Sequence, residues 1–185
     1  LERVHPHCDY ITVNISSPNT ANLRELQDTG PLRELLQEMT KARDALDAEH
    51  GVQRPMLVKI APDWTEEALI PSLEVIAESS IDGLIATNTT LARDAVAGSP
   101  HAAEGGGLSG APLLDAANHV LARAREVLGP DRTIIGLGGI TRPEDARAKR
   151  EAGADLVQLY TGFIYHGPAL VRACARALAE PGHDD

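Results

Sequence analysis

Short amide and hydroxyl side chains recur in this 185-residue chain wherever an apolar run of strand length ends. Tyr10-Ile11-Thr12-Val13 leads into Asn14-Ile15-Ser16-Ser17-Pro18-Asn19-Thr20. LVKIAPD carries Lys59, LIATNTT carries Thr87, Asn88 and Thr89, IIGLGG ends in Gly138-Gly139, and LVQLYTG ends in Tyr160-Thr161. Groups fixed in this way supply the directional contacts that a planar conjugated ligand needs. Lys59 adds a cation inside a run otherwise fit for burial, and lysine is rarely buried unless paired or functional. It would face a ligand that accumulates negative charge. The glycines of Gly105-Gly106-Gly107-Leu108-Ser109-Gly110 and of Gly138-Gly139 let backbone N–H groups approach a phosphate closely.

Each signal has a structural alternative when read alone. Segments 14–20 and 87–90 are rich in ordinary turn and helix-start residues. Lys59 is open to snorkelling from a strand edge, and the glycine runs to acting as hinges. The functional reading gains from the company: five successive strand ends carry residues suited to one pocket.

A frame that gathers successive strand ends follows from the hydrophobic pattern. Nearly continuous apolar runs at 10–14, 56–60, 83–87, 133–137 and 155–159 read as parallel strands buried on both faces. A helical stripe of Leu32, Leu35, Leu36, Met39 and Leu46 has Pro31 in its first turn and Gly51 at its exit. Asp63-Trp64-Thr65-Glu66 reads as a capping box opening a second helix, which Pro71 is expected to shorten or kink. Further helices are expected over 113–128, from Thr141-Arg142-Pro143-Glu144 towards Ala152-Gly153, and from Gly167-Pro168 to about Leu178.

The βα repeat implies a parallel sheet with right-handed crossovers. Polar residues at every strand end favour a (β/α)8 TIM barrel over a doubly wound sheet, which would carry G-x-G-x-x-G after its first strand. Only five strands are visible, whereas a closed barrel needs eight and typically about 250 residues. Leu1 to Cys8 reads as the tail of a preceding element. The expected fold is therefore α/β: the C-terminal part, about five βα units, of a (β/α)8 barrel. It forms a single incomplete domain over 1–185, with a frayed acidic tail at 180–185.

With 17 basic and 27 acidic residues the formal charge is -10, a field that disfavours nucleic acid and anionic membrane surfaces. Apolar residues at 43% argue against disorder. Two cysteines, Cys8 and Cys174, are too few to signal a secreted framework. No run approaches the roughly 18 apolar residues of a membrane span, and no leader pattern opens the chain. His5, His7 and Cys8 lack a zinc-like spacing, so no metal is expected, and the plain reading is a soluble domain.

The strings VNISSPNTANLRELQ, LVKIAPD, GLIATNTT, GGGLSGAPL, IIGLGGI and AGADLVQLYTGFIYHGP run in this order over essentially the whole chain. Together they resemble the dihydroorotate dehydrogenase family, in particular its quinone-dependent class 2. The resemblance implies an FMN enzyme that oxidises (S)-dihydroorotate to orotate in pyrimidine biosynthesis and passes electrons to a quinone. Ser17 matches the catalytic base; class 1 relatives place a cysteine there, and Cys8 lies before the strand. Asn14, Asn19, Asn88 and Thr89 look like orotate contacts, with Asn14 also touching the flavin. Lys59 and Thr87 resemble isoalloxazine contacts. Ser109, Gly110, Gly138, Gly139, Tyr160 and Thr161 resemble the ribityl-phosphate cradle.

Serine is a poor base, so Ser17 needs a relay for its proton, and Thr20 is a nearby candidate. The resemblance also implies that the N-terminal barrel strands, and a helical region meeting membrane and quinone, lie outside this chain. The full-length enzyme would then sit peripherally on the cytoplasmic side of the inner membrane. This piece alone is expected to be inactive, and its open barrel edges invite self-association.

Overall fold

The computed structural model describes residues 1–179, so the expected acidic tail at 180–185 lies outside the described residues. Five parallel strands lie side by side in chain order: β1 (Ile11–Asn14), β2 (Met56–Ile60), β3 (Gly83–Ala86), β4 (Thr133–Leu137) and β5 (Leu156–Gln158). A helix follows each: α1 (Thr29–His50), α2 (Glu66–Glu78), α3 (Leu114–Leu128), α4 (Pro143–Glu151) and α5 (Thr161–Ala179). The strands match the hydrophobic runs to within a residue or so at either end. The sheet is curled enough for side chains at its two edges to touch: Gln158, ending β5, donates through Nε2 to the Tyr10 hydroxyl just before β1, at 3.0 Å. Five βα units in this order and curvature form the arc of a barrel.

Strand alternation divides the core. Met56, Val58 and Ile60 of β2, Leu84 and Ala86 of β3 and Ile134 of β4 face the helices. There they join Leu32 and Leu36 of α1, Leu69, Leu73 and Ile76 of α2, and Val120, Leu121 and Ala124 of α3. Leu57, Ile85 and Ile135 form a separate cluster with Leu137 on the concave side. Lys59 stands two residues beyond Leu57 and so shares that side.

Three expectations are corrected. Thr65, not Asp63, is the N-cap of α2; Asp63 turns away to the β3 loop, so no capping box spans 63–66. α2 runs unbroken through Pro71. The ring removes one hydrogen bond, to the carbonyl of Glu67, a residue exposed to solvent. The last helix begins earlier than Gly167: a turn starting at Thr161 precedes it, and Gly167 (φ 62°, ψ -160°) divides the two segments. The start of α4 falls where expected, with Arg142 as N-cap; its capping box is closed by Asp145, which reaches back to the Thr141 and Arg142 N–H groups at 2.9 Å each.

The face opposite the strand C-termini carries one device twice. Asp82, just before β3, accepts the Met56 N–H of β2 at 2.7 Å and Arg43 Nη1 of α1 at 2.5 Å. Asp155, just before β5, accepts the Ile134 N–H of β4 at 2.7 Å and Arg125 Nη2 of α3 at 2.6 Å. Each carboxylate ties a strand start to the helix preceding that strand through charge-assisted bonds. Both cysteines are free thiols.

Candidate active site

The C-terminal ends of the strands enclose a cavity of about 270 Å3 lined by Lys59, Thr87, Asn88, Thr89, Ser109, Gly110, Gly138, Gly139, Tyr160 and Thr161. Leu113, Leu137, Ile140 and Leu159 supply its apolar walls. All the site residues expected from the sequence line it except Asn14, which ends β1, and Ser17 and Asn19 on the loop that follows. The volume is just below the range of small-molecule pockets, which begins at about 300 Å3, and the concave sheet face adjoins it.

One side of the cavity is a polar cradle. Thr161 Oγ1 donates to Ser109 Oγ at 2.9 Å, joining the glycine-rich loop to the start of α5. Gly138 and Gly139 hold φ of 103° and 86°, conformations that side chains resist, and a Cβ on Gly139 would lie 2.6 Å from the backbone N of Leu114. Among the described residues no turn or loop hydrogen bond engages the N–H of Gly110, Gly138 or Gly139. Hydroxyls and free N–H groups of this kind suit an anionic oxygen cluster. Tyr160 borders the cradle with 75% of its surface exposed.

Lys59 is half-buried, and among the described residues its ammonium enters no hydrogen bond or ion pair. Burial lowers its pKa from the ordinary lysine value. Thr87 is buried, its N–H donating to the Leu137 carbonyl while the Asn88 N–H donates to Ile60, both at 2.8 Å. The β3 loop is thereby stitched to the ends of β2 and β4.

The amides form a closed set. Asn88 Nδ2 donates to Asn14 Oδ1 at 3.3 Å and to Ser16 Oγ at 3.1 Å, and Asn88 Oδ1 accepts the Thr89 N–H at 2.8 Å. Asn14 Oδ1 also accepts the N–H and hydroxyl of fully buried Ser16. Asn88 therefore has its donors engaged within the protein, whereas the Asn14 amino group remains available to a ligand. Ser17 Oγ accepts the Asn19 N–H at 3.3 Å. Thr20 is exposed, and its hydroxyl makes no hydrogen bond among the described residues.

Sequence-to-family comparison is decisive on kinship: residues 1–181 match the family model described as dihydroorotate dehydrogenase. The chain belongs to the dihydroorotate dehydrogenase family. It is 59% identical over 178 residues to the dihydroorotate dehydrogenase (quinone) of Leptothrix cholodnii and 54% identical to that of Methylibium petroleiphilum. Each match covers 96% of this chain and 52% of the relative, so the chain spans about half the length of these curated relatives. The dihydroorotate dehydrogenase of Eimeria tenella, solved in complex with ferulenol, superposes with a TM-score of 0.86 at 34% identity. That superposition covers 96% of this chain and 51% of that one. Its ligand-free structure gives 0.87 at 35%, covering 96% and 52%. The dihydroorotate dehydrogenase fold, a partial TIM barrel here, accounts for the curled five-stranded sheet.

Several residues around this cavity have roles that the sequence did not assign to them individually. Ser16, Arg24, Asp63, Thr90 and Gly107 all join loops that hold the expected residues. The Cβ of Gly107 would lie 3.0 Å from Pro18 Cγ and overlap Thr89 Oγ1. Asp63 held the clearest available signal, a carboxylate four residues beyond Lys59 at a strand exit, but its sequence neighbours imitate a helix cap. Among the described residues no group of three or more His, Cys, Asp or Glu is arranged to hold a metal. No helix among them is long and apolar enough to cross a membrane.

Proposed function

We propose that this chain carries the proton-accepting loop and the flavin-phosphate cradle of an enzyme that oxidises (S)-dihydroorotate to orotate and passes the electrons to a quinone. One observation carries the reading: unpaired Lys59, the cradle of Ser109, Gly110, Gly138, Gly139 and Thr161, and the Asn88–Thr89 pair line a single cavity. A cation and a phosphate-type cradle in one pocket fit FMN, which when bound supplies the hydride acceptor for substrate C6. The cradle groups would hold its phosphate, and Lys59 and Thr87 its ring, with Lys59 placed to stabilise negative charge there.

Ser17 Oγ takes the C5 proton as hydride leaves C6, so substrate loses one proton and one hydride and gains a double bond. Ser17 is only half-buried, so its own hydroxyl proton passes to solvent water, and the Asn19 N–H directed at Ser17 Oγ favours negative charge on that oxygen during the exchange. The Asn14 amino group, Asn19 and Thr89 are the groups left to hold orotate, since Asn88 supports Asn14 and Ser16. The same reading puts the assembled enzyme at a membrane surface, where quinones dissolve.

Ser17→Ala in the flavin-loaded enzyme tests the assignment: flavin reduction by dihydroorotate should fall by about 100- to 10,000-fold with FMN still bound. Unchanged reduction kinetics would sink the role given to Ser17. A second reading, a non-catalytic half-barrel that self-associates, draws on the exposed apolar side chains Leu156, Phe163, Ile164 and Tyr165 beside β5. Gel filtration separates the two, because a flavin-free oligomer supports the second and a yellow monomer opposes it.

A further inference from the structure

Arg24 lies outside the cavity, yet its guanidinium joins the loops that follow three successive strands. Nε donates to the Ser16 carbonyl of the β1 loop at 3.1 Å, and Nη1 to Asp63 Oδ2 after β2 at 2.7 Å. Nη2 donates to the Thr89 carbonyl after β3 at 3.0 Å. Asp63 holds the far side, accepting the Leu91 N–H at 3.0 Å and the Thr90 hydroxyl. Both side chains are mostly shielded, at 21% and 26% exposure, where charge-assisted bonds are shorter of competing water.

The base of the arginine is itself anchored. Arg24 stands on the 3-10 helix Leu23–Gln27. Gln27 of that helix accepts the Ala61 N–H at 2.8 Å through Oε1 and the Ser72 hydroxyl at 2.9 Å through its carbonyl. The fork is thus fixed to the end of β2 and to α2 before it reaches the loops. At its tip it grips the peptide that links Ser16 to Ser17. Ser16 is also held through its hydroxyl by Asn14 and Asn88.

We propose that Arg24 is a positioning residue that sets Ser17 against the β3 loop, with Asp63 as its anchor. The proposal rests on the reading of Ser17 as base. Arg24 does not touch the reacting atoms; it acts through the Ser16–Ser17 peptide. A planar five-donor fork is required because two carbonyls and a carboxylate are engaged at once, which a lysine ammonium on one stem does not reproduce.

The experiment is a double-mutant cycle in the flavin-loaded enzyme, read as flavin reduction by dihydroorotate, with amide hydrogen exchange over residues 16–20. Arg24→Gln should slow reduction about 10- to 100-fold, as expected of a displacement near 1 Å, without loss of bound flavin. In a Ser17→Ala background it should slow reduction no further. Arg24→Lys keeps the charge and should stay close to Arg24→Gln in rate. If Arg24→Gln fails to fold, Arg24→Lys carries the test alone. Faster exchange at 16–20 in either variant supports positioning; wild-type exchange together with wild-type rate overturns it. An equal slowing by Arg24→Gln with and without Ser17, or full rescue by lysine, also overturns it. A wild-type rate in Ser17→Ala with faster loop exchange in Arg24→Gln instead overturns the base assignment and leaves the positioning of the loop standing.

Discussion

Replacing Gly107 by alanine probes how tightly the glycine-rich loop is fitted to the residues around Ser17. A Cβ there would lie 2.5 Å from Thr89 Cβ and 3.0 Å from Pro18 Cγ. Comfortable carbon–carbon contact begins near about 3.5 Å, so Thr89 would have to retreat by about 1 Å. It is not free to do so alone: Asn88 Oδ1 holds its N–H and Arg24 holds its carbonyl. The retreat therefore drags Asn88, and with it the Asn14–Ser16 cluster. Misplacement of about 1 Å at a reacting site costs on the order of 100-fold in rate. Overpacking adds about 1–3 kcal/mol of instability, or several degrees in thermal midpoint at about 2–4 °C per kcal/mol.

Anaerobic stopped-flow reduction of the bound flavin measures the first effect and thermal unfolding the second. Gly105→Ala is the internal control, because a Cβ at Gly105 meets nothing within 4 Å. It should behave as wild type in both assays. A wild-type rate and midpoint for Gly107→Ala would refute the packing argument. Equal damage from both substitutions would replace it with a requirement for loop flexibility.

Other outcomes follow from the two shielded lysines. Lys59→Met should make the potential of the bound flavin more negative, since the only role argued for this ammonium is to stabilise charge on the reduced ring; an unchanged potential in a redox titration removes that role. Lys149 on α4 is fully buried with no hydrogen-bond partner for Nζ among the described residues, and burial, opposed in part by Asp145, lowers its pKa from 10.5 to about 8. The folded state thus binds fewer protons than the unfolded state between about 8 and 10.5, so stability should rise with pH across that window. Below it the charge penalty is complete, at roughly 3 kcal/mol as an upper bound. Lys149→Met should raise the urea midpoint at pH 7 and flatten the pH dependence above 8, and a lower midpoint at pH 7 would contradict the argument.

The strands and their order were legible because each is a short apolar run closed by polar residues, a pattern that buried parallel strands impose on sequence directly. The cavity was legible for the same reason: in a parallel sheet, residues just past successive strands must converge. Asp63 was misread because four consecutive residues matched a local rule, while its actual partners, Arg24, Thr90 and Leu91, are distant in sequence. Pro71 does not shorten α2 because it loses a single bond, near the start of the helix, to the carbonyl of solvent-exposed Glu67. The engagement of the Asn88 donors by Asn14 and Ser16 depends on side-chain orientation, which spacing does not encode. The turn beginning at Thr161 was hidden by the Gly167-Pro168 pair, the stronger helix-start signal nearby.

The twin carboxylates, Asp82 with Arg43 and Asp155 with Arg125, share no residue with the binding loops and lie at the other end of the strands. Each closes a unit of helix, strand, helix and strand upon itself. The joint between the two units is the long connection from β3 to α3, the stretch that contributes Thr87, Asn88, Thr89, Ser109 and Gly110 to the cavity. Half of the polar lining of the cavity therefore comes from the joint between the two units. A change in that connection touches neither clasp, so the groups that line the cavity and the groups that hold the frame can be perturbed separately.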